Sequence, residues 1–192
     1  MNIMKRTIIF LLTKRFIFMM MCFVCLTVQA QTEWDEDDWD IEYLKKEFRD
    51  NLKRAQAGDA RAMFEVGLSY ESGIVVAKNL DETIKWWSKA ADLGNTSALF
   101  NLASLYSSER VGTFDMYKGK EIPKNPDEAF RLWKILGEQK ETPAGMYHLG
   151  NCYWYGEGVG RSYKEAVKWW QKAARKDFKQ AQEALKKIDE TW

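Results

Sequence analysis

A period of 36 residues constrains this chain more than any other feature. Ala62, Val66, Gly67, Tyr70 and Gly73 return as Gly145, Leu149, Gly150, Tyr153 and Gly156, with a looser middle copy in Ala98, Leu102, Ala103 and Tyr106. The second half of each unit repeats too. Asn79-Leu80-Asp81-Glu82-Thr83 matches Asn125-Pro126-Asp127-Glu128-Ala129 and Ser162-Tyr163-Lys164-Glu165-Ala166, and Trp87, Trp133 and Trp170 share one position. Ala62 and Ala98 stand 36 residues apart, Trp133 and Trp170 37. From the repeated Tyr to the repeated Trp is 17 residues in copies one and three but 27 in copy two, so copy two carries an insertion of 10. Such self-similarity means stacked units, none of which can bury its apolar face alone.

Each unit reads as helix–turn–helix. Ala62, Val66 and Tyr70 fall at i, i+4 and i+8, one stripe of an α-helix. Gly67, Ala103 and Gly150 lie beside that stripe, where a missing or small side chain admits a neighbouring helix. Asn79, Asn125 and Ser162 each precede a Glu by three residues. That spacing predicts N-caps of second helices, with the Glu reaching back in a capping box; Pro126 suits a first helical position. Asp59, Asn95 and Thr142 are predicted caps of the first helices. Gly58 and Gly94 are placed to end the preceding helices in a left-handed turn.

The segments AMFEVGLSYESG (62–73), DETIKWWSKAADLG (81–94), GMYHLGNCYWYGEGV (145–159) and KEAVKWWQKAA (164–174) resemble the Sel1-like repeat family, a relative of the tetratricopeptide repeats. The resemblance implies an all-α, right-handed α-solenoid. It divides the body into a capping helix at 43–57, repeat one at 58–94 and repeat two at 95–140 with an inserted loop at 107–124. Repeat three follows at 141–176, then a C-terminal capping helix at 177–192. Leu44, Phe48 and Ala55 align with Leu80, Ile84 and Ala91, and residues 181–188 begin a fourth first-type helix, as expected where an array caps its ends.

The N-terminal region has a different character. Lys5, Arg6, Lys14 and Arg15 precede an apolar run from Phe16 to Val28, and residues 1–30 hold no acid. These are the parts of a secretory signal peptide cleaved after Ala30, and the run is short of the ~20 residues of a membrane span. The expectation is export to the periplasm or beyond, without stable membrane insertion once the signal is removed; an uncleaved N-terminal anchor is the alternative. Residues 31–42, QTEWDEDDWDIE, then form an acidic leader with seven acids and no base, read as flexible and solvated. The net charge of +1 thus combines a +4 signal, a −7 leader and a +4 body. It lacks the strongly basic profile of a dedicated nucleic-acid binder, so no nucleic-acid partner is expected.

Groups for bond chemistry are few. Removal of the signal leaves Cys152 as the one cysteine, four residues after the sole histidine, His148. A Cys–His dyad needs both within hydrogen-bond reach and an orienting partner, and no third group is marked. Cys152 moreover fills the slot of Ser69 and Leu105. Metal ligands are too sparse for a site. The glycines of Gly156-Glu157-Gly158-Val159-Gly160 follow a predicted helix, whereas a dinucleotide loop follows a strand. No catalytic residue, metal or cofactor is therefore assigned. Exported relatives that pair cysteines within each unit differ from this chain, which lacks those cysteines.

The expected function is binding of a protein or peptide. The alternatives are an exported hydrolase or cell-wall enzyme, or a structural part of an envelope assembly. In tetratricopeptide-like arrays the first helices line the concave face, which places Phe64, Phe100 and Tyr147 at one exposed position and Leu68, Ser104 and Asn151 at the next. Trp154 and Tyr155 complete the candidate face, because Tyr153 beside them already fills the core stripe. Ordered aromatics suit peptide capture, although aromatics at helical spacing also build cores. Of Trp86/Trp87 and Trp169/Trp170, adjacent and so 100° apart, Trp87 and Trp170 are the predicted packing members. The inserted loop supplies a second candidate surface in Phe114, Met116 and Tyr117, apolar residues that a solvated loop does not need.

Overall fold

A computed structural model describes residues 41–107 and 124–188. The predicted signal peptide, most of the acidic leader, and Phe114, Met116 and Tyr117 of the inserted loop lie outside the described residues. The chain divides into two compact units, 1–47 and 48–192. Of the first, residues 41–47 are helical, so the helix expected from 43 is already formed at Ile41, and Lys45 pairs with Glu42 at 3.8 Å.

Every regular element among the described residues is helical. Helix α1 covers 41–56 and is followed by α2 (Ala60–Ser72), α3 (Leu80–Asp92), α4 (Thr96–Tyr106), α5 (Pro126–Lys134), α6 (Pro143–Tyr155), α7 (Tyr163–Ala174) and α8 (Lys179–Lys187). Within the second unit, extensive contacts join α2 to α3, α3 to α4, and so on to α8. Packing chiefly between helices that follow one another along the chain is the signature of a solenoid, and the all-α repeat array read from the sequence is the observed fold.

The predicted starts of the helices are the observed ones. Asp59 Oδ1 accepts from the Arg61 and Ala62 N–H groups, Asn95 from Ala98, and Thr142 from Gly145. Asn79 accepts from Asp81 and Glu82, Asn125 from Glu128 and Ser162 from Glu165. Each cap satisfies N–H groups that a helix cannot pair internally, worth about 1 kcal/mol. Gly58 and Gly94 adopt φ of 97° and 81°, the left-handed turn expected of them.

The second half of the capping box differs from expectation. The N–H groups of Asn79, Asn125 and Ser162 donate instead to the carbonyls of Tyr70, Tyr106 and Tyr153, at 3.0, 3.1 and 2.9 Å. With that donor taken, the Glu turns forward. Glu82 pairs with Lys85, Glu128 with Arg131 and Glu165 with Lys168, all at i, i+3. The repeated Tyr thus marks where the end of a first helix is tied to the start of its second helix. In repeat two this bond joins the flanks of the insertion, so α4 and α5 pair as the other repeats do.

The 37-residue spacing has a local cause. After α5 the chain makes a π-helical turn over Ile135–Gln139. A wider turn absorbs one extra residue without breaking the helix, and it puts the third unit back in register. Gly145 accommodates it: a Cβ there would stand 2.5 Å from that of Leu136.

Candidate functional site

The repeated Trp organises the inner face of each helix pair. Trp87 and Trp170 lie over Gly67 and Gly150, whose added Cβ atoms would fall inside the indole rings' contact distance. Their Nε1–H groups donate to the carbonyls of Phe64 and Tyr147, at 3.3 and 3.2 Å. A buried Trp removes roughly 150–250 Å² from water, a gross stabilisation of about 4–6 kcal/mol.

Both members of each Trp pair are buried, which corrects the expectation that only Trp87 and Trp170 pack. Trp86 and Trp169 are 7% and 6% exposed. The reason is the array itself, since a second helix in the middle of a stack has more than one neighbour and buries more than one stripe. Lysines close the remaining edge. The Lys89 ammonium sits 4.7 Å from the Trp86 ring centre, and that of Lys172 3.8 Å from Trp169, a cation–π geometry.

The residues singled out on the first helices separate into three groups. Phe64 stacks on Trp87 with ring centres 6.2 Å apart, and Leu68 and Ser104 are half-buried. Asn151 does not stand on an open face. It is 7% exposed, and its Oδ1 accepts from Trp170 Nε1 at 3.0 Å, so it orients the core indole. Trp154 is half-buried and packs on Trp170 and Tyr163, 5.0 and 4.7 Å away. Tyr155, at 56%, is the most exposed of the set.

Phe100 and Tyr147 belong to a continuous strip. Phe100, 36% exposed, meets Trp133 edge-on at 5.2 Å and His148 at 5.9 Å. His148 stacks on Trp133 at 4.3 Å and touches Tyr147 at 5.2 Å; Tyr147 in turn meets Phe178 at 5.5 Å. Five rings therefore run from α4 across α6 to the start of α8. Sequence reasoning missed His148 and Phe178 as members, although His148 is adjacent to Tyr147 and Phe178 occupies the cap position of Asp59 and Asn95.

The chemistry of the region fits packing and surface recognition. His148 is held among aromatic rings, and Cys152 is buried. Burial pushes the phenols of Tyr106 and Tyr153 above their ordinary value, so both stay neutral at physiological pH. Among the described residues no group of His, Cys, Asp and Glu is arranged to hold a metal, and no helix is long and apolar enough to cross a membrane. Gly156 and Gly158 form the turn between α6 and α7, where Gly158 lies against the Pro126 carbonyl.

Comparison with known proteins agrees with this geometry. The family model described as Sel1 repeat matches residues 60–95, 96–140 and 143–178. DAP3-binding cell death enhancer 1 from Rattus norvegicus is 38% identical over 72 residues, 38% of this chain and 14% of that protein. Chitin synthase regulator SKT5 from Saccharomyces cerevisiae is 27% identical over 139 residues, 72% of this chain and 19% of that protein. The chain thus spans less than a fifth of either relative. A Sel1 repeat protein from Oxalobacter formigenes superposes with a TM-score of 0.60 at 27% identity, covering 72% of this chain and 96% of that one.

Proposed function

Because the chain belongs to the Sel1 repeat family, we propose that it is an exported scaffold which captures a protein or peptide and performs no bond chemistry. Helical repeat arrays of this kind mediate protein–protein contact. The finer reading rests on one observation, the partly exposed rings of Phe100, His148, Tyr147 and Phe178 on the first-helix side, arranged around the buried Trp133. Rigid aromatic groups offer contact area at small entropic cost, which is what a peptide-binding surface requires. One of the relatives is named for binding a protein, which accords with this role. Export, with the periplasm or the extracellular space as destination, is supported by the basic and apolar character of residues 1–30.

The test is affinity capture from the native envelope with mass spectrometry, comparing the wild type with Phe100→Ser/Tyr147→Ala. Asn151 and Trp154 are left intact because they hold Trp170. The double variant is expected to keep its helical circular dichroism and lose the captured partner. Retention of that partner by a folded double variant would sink the proposal.

A further inference from the structure

The second-helix side of repeat three carries a groove of different chemistry. It has a volume of about 570 Å³ and lies between the π-helical turn and α7. Its apolar lining comes from Gly137, Met146 and Trp169, and its rim is set with Lys168, Lys172, Arg175 and Lys176. The acids at the groove are already engaged. Glu141 pairs with Lys176 at 3.5 Å, and Glu138 approaches Lys134 at 4.0 Å. Lys168 is paired with Glu165. Lys172 lies over the Trp169 ring, and among the described residues no carboxylate pairs with it or with Arg175. Two cations of the groove are therefore without a carboxylate partner among the described residues.

Repeat one shows that this charge is not a by-product of the repeat. Trp86 and Lys89 reproduce Trp169 and Lys172, but Asp92 and Leu93 stand where repeat three has Arg175 and Lys176. The Trp–Lys pair is thus shared architecture, whereas the two following cations are particular to the groove. We propose that this groove is a second docking site, for an acidic peptide segment bearing an aliphatic or aromatic side chain. Its carboxylates would meet Lys172 and Arg175, and its apolar side chain would reach the small exposed edges of Trp169 and Met146, 6% and 5% exposed. Charge complementarity selects such a segment over a neutral one, and steers its approach.

The purified protein would be titrated against a fluorescein-labelled Glu-Glu-Leu-Trp-Glu-Glu peptide, with the all-Gln analogue as control, by fluorescence anisotropy. Binding is expected for the acidic peptide, with loss of at least about tenfold in affinity for the Gln analogue and for Arg175→Asp/Lys176→Leu. A second variant, Lys172→Gln, leaves the Lys176–Glu141 pair in place and should also weaken binding, as should raising salt from about 0.05 to about 0.5 M. Phe100→Ser/Tyr147→Ala should bind the acidic peptide as the wild type does, which separates this site from the first-helix strip. The idea is overturned if the Gln analogue binds equally, if both groove variants bind unchanged, or if only the Phe100/Tyr147 variant loses binding. Displacement of the peptide by single-stranded DNA at lower concentration than by unlabelled peptide would equally reject it.

Discussion

Repeats one and three are built on the same internal frame and differ in what holds their central Trp. In α2–α3 the Trp87 indole rests on Gly67 and donates to the Phe64 carbonyl, with Leu68 alongside in the sequence. In α6–α7 the Trp170 indole rests on Gly150 and donates to the Tyr147 carbonyl, but Asn151 replaces Leu68 and adds a second acceptor. The frame is set by backbone and glycine, and so tolerates different neighbours. Side chains around it are where one repeat becomes specialised, as the Arg175 and Lys176 rim shows.

The frame itself should be the most sensitive part. Gly67→Ala and Gly150→Ala each place a Cβ against an indole, where neither the ring nor the helix backbone can yield freely. Alanine favours helix over glycine by up to about 1 kcal/mol, yet overpacking of this severity typically costs about 1–3 kcal/mol, and displacement of the ring also strains its Nε1–H bond. The net loss is expected near 2 kcal/mol at either site, read as a lower midpoint in urea unfolding. Equal losses would show that the two frames are equivalent. A loss confined to one repeat would break the comparison.

The second acceptor should matter less. Asn151→Leu converts repeat three to the repeat-one arrangement, leaving Trp170 its bond to the Tyr147 carbonyl. Removing one hydrogen-bonding partner while filling its space costs at most about 1 kcal/mol. The thermal midpoint should fall by no more than a few degrees, and less than in Gly150→Ala. A larger drop would mean that Asn151, not the glycine, fixes the indole in this repeat.

How legible each feature was depends on whether it repeats. Caps, left-handed helix ends and the Trp position recur two or three times, so the sequence marks them redundantly, and the structure places them accordingly. The π-helical turn occurs once. Its extra residue is visible in the spacing from Trp133 to Trp170, but spacing alone cannot say whether a loop or a helix absorbs it. The burial of Trp86 and Trp169 was hidden because a helical wheel assigns one apolar face, whereas a helix inside a stack has neighbours on several sides. Asn151 was misplaced on an open face because an amide at a non-core position looks like a surface group until its indole partner is known. The ring strip crosses from α4 to α6 to α8, and such contacts between repeats leave no short-range pattern.

The smallest expected effect concerns the caps, where the repeats again differ. Repeat one starts with a carboxylate, Asp59, whereas repeats two and three start with the neutral Asn95 and Thr142. The Ala62 N–H, then Arg54, whose Nη2 donates to Oδ2 at 2.6 Å, hold the Asp59 carboxyl below its ordinary range, and the Arg61 N–H adds to this. A group whose pKa is lowered on folding stabilises the fold fully above its unfolded value, about 4, and loses that contribution as pH falls through the folded value. Asp59→Asn keeps a good cap but removes the proton linkage. The thermal midpoint of the wild type relative to Asp59→Asn should be constant above about pH 5 and decline from about pH 4 downward. Acid effects elsewhere are common to both proteins and cancel in the difference. The reverse exchange, Asn95→Asp, brings a carboxylate to repeat two without a counterpart of the Arg54 pair, and so should import a weaker pH dependence. A flat difference between wild type and Asp59→Asn across that range would show that the charged cap is no more than a neutral one with a different name.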